Sequence, residues 1–402
     1  MTKLLVQHGP AKGQKIEKAL KNNNVEGVIF SLREEKIESI NNYINNVVDL
    51  NENNSFIDPQ FYYSTYDKGN IKNLENVFNF PVDVYRRDMR TKDERIYKYF
   101  DEYEKYVSEK YSSIITPGFS IDSIDWKFDS SLDIYKYFKN KNNFQNYYMT
   151  LLISSKMFHS KNDIEEIILD IIDETKEYDN NGIYLIINYE ELNDSNYEKI
   201  DSETLSNILY FIYKLKKNNY NIMVGYAYIN SILFAMLNCD FVSSGWFNNL
   251  RKFTNSKFEN IDNFGRRKKK FFSIPLLSNI NLETIRELKP FYDVNNLKSN
   301  THCDDIAFED IDQVSFVDLE HQFWEAESNI LKLINEKTTI EEKIKYIKQL
   351  IIKAISLSDE IQNNIPDEFI ELKNIIKGNT SHLKEWLFAI DLFIKKALIL
   401  IY

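Results

Sequence analysis

Apolar and polar positions along the chain alternate between two periods. Short, nearly unbroken apolar runs rich in β-branched residues are followed by longer stretches with an apolar residue every three or four positions. The runs are KLLVQ at 3–7, GVIFS at 27–31, SFID at 55–58, SSIIT at 112–116, YYMTLLI at 147–153, GIYLIIN at 182–188, NIMVG at 221–225 and DFVS at 240–243. A strand that is apolar at successive positions has no face for water, so it must be covered on both sides. Helical spacing occupies 13–22, 34–48, 163–178, 202–218 and 229–237, together with the charged stretch that follows Thr91. Eight such strand–helix units in series predict an α/β fold. Its parallel sheet closes into a (β/α)8, TIM-like barrel over residues 1–275. An open sheet is the competing arrangement.

From about Asn279 the short apolar runs stop, and residues 276–402 read as an all-α C-terminal extension. Apolar spacing predicts a helix over 316–337. The TIEE at 339–342 has the form of a capping box, in which the Thr hydroxyl and the Glu carboxylate satisfy the first backbone N–H groups. Ile340, Ile344, Ile347 and Ile351 form the apolar stripe of the helix it opens. Pro366 marks a helix start and Gly378 a helix end, and the last helix runs over 380–402.

Composition narrows the function classes. Of the 402 residues, 43% are hydrophobic and 14% aromatic, enough for a large core and too many for a disordered chain. A net charge of −11 weighs against a surface coated for nucleic acid but leaves room for local basic patches. Two cysteines, Cys239 and Cys303, exclude a disulfide framework and a four-cysteine zinc site. No glycine-rich phosphate loop follows any strand, so no dinucleotide cofactor is expected, and two cysteines give no metal motif. The opening MTKLLVQHGP has no signal-like apolar stretch, and Asp391, Lys395 and Lys396 interrupt the apolar tail. A cytoplasmic protein without a membrane segment is expected.

In such a barrel the working side chains lie at the C-terminal ends of the strands. That rule yields a list that includes His8, Ser31, Arg33, Asp58, Ser120, Asp122, Ser154, Ser155, Asn188, Tyr189, Tyr226, Tyr228, Ser243 and Ser244. Asp58 ends a buried strand, ahead of Pro59 and an aromatic run that includes Phe61. It reads as a general base or nucleophile, or as an acceptor for loop N–H groups. His8 is a proton carrier or a satisfied polar residue at the barrel mouth. Trp246, Phe247, Asn248 and Arg251 form an aromatic and polar turn suited to a planar or phosphorylated ligand, or alternatively a plug for the barrel end. Glu190 and Glu191 follow the sixth run and read mainly as a solvated loop. Two basic clusters, Arg86-Arg87 and Arg266-Arg267-Lys268, are candidate contacts to a phosphate backbone, or solvated faces.

The order of these features resembles the tRNA-guanine transglycosylase barrels, including relatives that act on DNA. Ile57-Asp58-Pro59-Gln60-Phe61 resembles the family's Asp-Ser-Gly-Gly-Phe turn, which would make Asp58 the counterpart of its first active-site aspartate. The stretch from Met223-Val224-Gly225 to Cys239-Asp240-Phe241 resembles the approach to the second aspartate, and Ser243 stands where that aspartate would be. The region from Cys303 to His321 resembles the position of the zinc site. It keeps only one cysteine and one histidine, so no structural zinc is expected.

The resemblance implies a barrel that binds a nucleotide or nucleic acid and acts on an N-glycosidic bond. Asp58, Ser243 and His8 would be catalytic. Phe61, Tyr226, Ser244, Trp246, Asn248 and Arg251 would contact the substrate. Two alternatives stand beside it. One is a catalytically inactive barrel serving as a scaffold subunit of a multi-protein bacterial system, such as a defence system, with the C-terminal helices as the partner surface. The other is a sugar or phosphate hydrolase pairing Asp58 with Glu190.

Overall fold

A computed structural model describes residues 1–65, 71–189, 199–258 and 268–400. The apolar runs form β1 (Lys3–Gln7), β2 (Gly27–Ser31), β3 (Ser55–Asp58), β4 (Ser113–Thr116), the two-residue β5 (Ser120–Ile121), β6 (Asn146–Ser154), β7 (Asn181–Tyr189), β8 (Asn221–Gly225), β9 (Phe241–Ser244) and the short β10 (Phe253–Thr254). The sheet order is β3-β2-β1-β9-β8-β7-β6-β4, with β5 paired to β6 and β10 to β7, and every pair is parallel. Leaving out the two short strands, that order follows the chain around a cylinder. It is closed by hydrogen bonds everywhere except between β3 and β4, so the sheet is a nearly closed eight-stranded barrel rather than an open layer.

The gap between β3 and β4 is spanned by a side chain. Tyr103, on helix Glu94–Ser108, places its hydroxyl 3.1 Å from the Ile57 carbonyl of β3 and 2.8 Å from the Ile115 carbonyl of β4. One phenolic proton thus serves two carbonyls that a strand ladder would otherwise satisfy.

Helices cover the outside, one after each of the eight main strands. Seven are Lys15–Lys21, Ile37–Asn46, Glu94–Ser108, Trp126–Lys139, Lys161–Thr175, Ser202–Lys217 and Ser231–Met236. The eighth place, between the first and the seventh of these, is taken by Phe316–Asn335, which packs on both and on β1. The sequence pattern does not reveal Trp126–Lys139. Its buried side includes Ser130, Ser131 and Lys139, so no clean apolar stripe forms.

At the N-terminal end of the barrel interior, Phe56, Tyr148 and Phe241 meet edge to face, with centroids 5.3 to 6.5 Å apart. Above them Tyr184 crosses the interior. A side-chain carbon on Gly225 would lie 2.8 Å from its ring, so glycine is what the neighbouring strand can carry there.

The helical C-terminal region is joined through an antiparallel hairpin, β11 (Lys270–Ser273) and β12 (Ser278–Asn281), whose turn spans positions 274–277. Among the described residues, strand β12 is thus the one strand within the stretch read as helical. The Thr339–Glu342 capping box forms as its sequence requires and opens helix Ile340–Asn364. The final helix, His382–Ala397, lies on Ser202–Lys217, with Phe393 edge-on to Tyr213 at 5.5 Å. One apolar core runs from Leu4 through the barrel to Phe393. A second, smaller core gathers Phe271, Ile280, Leu297, Phe308, Ile361 and Ile376. Among the described residues no helix is long and apolar enough to cross a membrane.

Candidate functional site

Strand β3 ends by carrying Asp58 to the inner mouth of the barrel, where its side chain is fully buried. One carboxylate oxygen accepts the Gln60 N–H at 2.9 Å, and the other accepts the hydroxyls of Tyr62 at 3.0 Å and Tyr184 at 3.3 Å. Gln60 takes a left-handed backbone conformation, φ 52°, uncommon for a residue with a side chain. This turns its amide oxygen toward Ser31 Oγ at 2.7 Å and the Arg33 N–H at 3.0 Å, which ties the ends of β2 and β3 together.

The opposite side of the mouth continues the network. Ser243, in the penultimate position of β9, donates to Gln7 Oε1 at 2.8 Å and accepts the Tyr226 N–H at 3.3 Å. The Tyr184 hydroxyl also lies 3.4 Å from Gln7 Oε1, so its single proton is shared between Gln7 and Asp58. The buried Gln7 Nε2 has no hydrogen-bond partner among the described residues. Tyr226, like Gln60, is left-handed, at φ 54°.

A group of cations lies beside these residues. The half-buried Lys257 holds its ammonium nitrogen 4.5 Å from the Tyr226 ring centroid and 5.3 Å from that of Phe253. No carboxylate or hydrogen-bond acceptor meets that nitrogen among the described residues. The Tyr63 hydroxyl donates to the Lys257 carbonyl at 3.2 Å, and the Arg33 guanidinium sits 4.6 Å from the Tyr63 ring centroid. Glu34 accepts from Arg33 at 2.6 Å and Lys72 at 2.8 Å. Phe253 and Phe258 pack edge-on against Tyr62, so aromatic rings surround the tyrosine that holds Asp58.

Electrostatics follow from this burial. Loss of water raises Asp58 from 3.8 to about 6, against the opposing pull of the Gln60 N–H, the two phenols and Lys257. Loss of water likewise lowers Lys257 from 10.5 to about 7, with Glu34 opposing. Near neutral pH both groups therefore sit where they exchange protons readily.

The structure unites Asp58, Ser243 and Tyr226 at one mouth, and it places the other sequence candidates as follows. His8 is buried one step away; Ser31 N–H donates to its Nδ1 at 3.4 Å, which leaves Nε2 to donate to Glu35 at 3.0 Å. That arrangement suits the neutral ring, and burial lowers its pKa. Phe61 is packed among Phe80, Tyr99, Phe100 and Phe119. Trp246 is buried, donating to the Pro10 carbonyl at 3.2 Å and meeting Trp324 edge-on. The Ser244 carbonyl accepts Trp324 Nε1 at 3.0 Å. Arg251 is buried with its guanidinium 3.8 Å from the Phe323 ring centroid and its Nε donating to the Gly245 carbonyl. These contacts join the mouth of β9 to helix Phe316–Asn335.

Asn248 begins the short helix Asn248–Arg251. Arg86 and Arg87 are exposed at the start of helix Arg86–Arg90, and Lys268 lines a groove with Lys269, Arg286 and Asp312. Arg266, Arg267, Glu190 and Glu191 lie outside the described residues. Among the described residues no three His, Cys, Asp or Glu side chains are grouped as metal ligands.

Sequence reasoning does not single out Gln7, Gln60, Tyr184 or Lys257. Tyr184 and Gln7 carry a readable signal, since each is a polar group at an inward position of an otherwise apolar strand. Lys257 carries none, because it follows short irregular elements that the pattern does not place. Comparison of the chain with protein-family models, with curated proteins and with solved structures finds no match.

Proposed function

We propose that the chain is a TIM-type (β/α)8 barrel that binds a nucleotide, free or within a nucleic acid, and acts on its N-glycosidic bond. The observation that carries this reading is Asp58: a buried carboxyl held by two phenols, with a pKa of about 6, at the C-terminal end of a barrel strand. Such a group gives a proton to a departing base and takes one back at neutral pH. The rings of Tyr62, Tyr226, Phe253 and Phe258 suit a planar base, and Arg33 and Lys72 suit a phosphate. The buried, hydrogen-bonded Ser243 in the second aspartate's expected place argues that the bond is not broken with a carboxylate nucleophile there.

The test is release of free base from nucleosides, nucleotides and oligonucleotides, separated by chromatography. Asp58→Asn should lower the rate by roughly 100-fold or more while leaving the circular dichroism unchanged. Equal rates for wild type and variant would remove Asp58 from the chemistry.

One observation favours the scaffold alternative. Ile352, Phe369, Ile370 and Phe388 of the C-terminal helices are exposed, at 42 to 62% of their surface. Large apolar side chains left in water are a feature of protein-binding faces where they form a continuous patch. A stable complex that forms equally well with Asp58→Asn, with no base release by either form, would favour that reading.

A further inference from the structure

We infer that Lys257 is the nucleophile of this site: its amine attacks the anomeric carbon of a pentose and forms an imine. The inference rests on the N-glycosidic reading and supplies the nucleophile that reading lacks, since the Ser243 hydroxyl at the mouth is buried and donates to Gln7. Four observations point to Lys257. It lies against Tyr226 and Phe253, at the same mouth as Asp58. Among the described residues its nitrogen meets no carboxylate or hydrogen-bond acceptor, unlike Lys72 on Glu34 or Lys12 on Glu35. Its backbone is fixed by the hydroxyl of Tyr63, next in the chain to the tyrosine that holds Asp58. Finally, Gln7 Nε2 is buried and unpartnered in the network that holds Asp58, and a sugar or base oxygen would satisfy it. An amine of lowered basicity beside an acid–base carboxyl is the arrangement lysine nucleophiles need, because only the neutral amine has a free electron pair.

The Nζ electron pair forms the bond to C1 as the bond from C1 to the base nitrogen breaks. Protonated Asp58 gives its proton to the departing base, and the resulting carboxylate takes a proton from the new C1–NH₂⁺ group. The remaining nitrogen electron pair then forms the protonated imine C1=NH⁺ as the bond from C1 to the ring oxygen breaks, and Asp58 gives that oxygen the proton it has just taken. Water adds to the imine, restoring the amine and releasing the sugar.

An aldehyde sugar enters the same imine without any base, which separates the two claims. The full-length protein is incubated with 2-deoxyribose 5-phosphate and cyanoborohydride, and reduced adducts are mapped by peptide mass spectrometry. Reductive capture should mark Lys257 ahead of exposed lysines such as Lys98 and Lys176. The yield should rise with pH through about 7 and fall about 10-fold or more in Asp58→Asn. Lys257→Arg, which keeps the cation but forms no stable imine, should lose the adduct while staying folded.

Adducts spread over exposed lysines, or unchanged by Lys257→Arg, would overturn the assignment. So would base release that persists at the wild-type rate in Lys257→Arg, which would leave the N-glycosidic reading standing. An adduct at Lys257 with no base release from any nucleoside, nucleotide or oligonucleotide would support the amine and overturn the glycosidic reading instead.

Discussion

At the scale of single residues, the barrel holds ionisable groups whose charge depends on burial more than on partners. Glu327, on helix Phe316–Asn335, is fully buried, and loss of water raises it to about 8 despite Ser231 and Arg251 nearby. The folded state therefore binds this proton more tightly than the unfolded chain, where the value is 4.5. The stability this group contributes is fully present below 4.5 and is lost as the pH rises through about 8. Glu327→Gln removes the titration, so its melting temperature should gain on the wild type across that window, with the largest difference above it. A difference that stays constant with pH would mean that Glu327 does not carry its charge state into the fold. Asp58 was legible from the sequence because a carboxylate at the end of an apolar strand stands out. Lys257 was not, because its environment is assembled from β3, β7, β8 and the 253–258 segment, which no local pattern joins.

At the scale of elements, strands with both faces covered write their limits into the sequence, and all eight main strands fall within one or two residues of the runs that announce them. Pairs of polar contacts, by contrast, cannot be read from periodicity. The clearest case is Tyr103, which looks like one more aromatic residue on an amphipathic helix. Its hydroxyl bridges Ile57 and Ile115 across the one seam that lacks a ladder. Tyr103→Phe keeps the ring and removes that bridge, leaving buried carbonyls without a donor, and should destabilise the protein by about 1–2 kcal/mol. Urea unfolding should show a lower midpoint with an unchanged slope. An unchanged midpoint would show that the seam is held by packing alone. Elements with mixed faces, such as Trp126–Lys139, and strands of two residues, such as β5 and β10, leave too short or too polar a trace to be read.

At the scale of the whole molecule, the C-terminal region is not a separate cap. Helix Phe316–Asn335 fills the eighth place around the barrel, with Trp324 bonded to the Ser244 carbonyl and Asn335 exchanging hydrogen bonds with Thr2. The sequence shows these helices but not their attachment, because attachment depends on contacts between residues roughly 80 to 330 positions apart. The same long-range closure makes the site. Asp58 loses its water only if β1, β3, β7 and the 253–258 segment converge on one mouth, so its proton affinity reports on the assembled barrel. The most direct test is a carbon-13 carboxyl NMR titration of aspartate-labelled protein, with Asp58→Asn used for assignment. The account predicts one carboxyl with a midpoint near 6 that is missing in the variant. If every aspartate resonance titrated at or below about 4, near the ordinary aspartate value, Asp58 would be in water and the proposed centre would not exist.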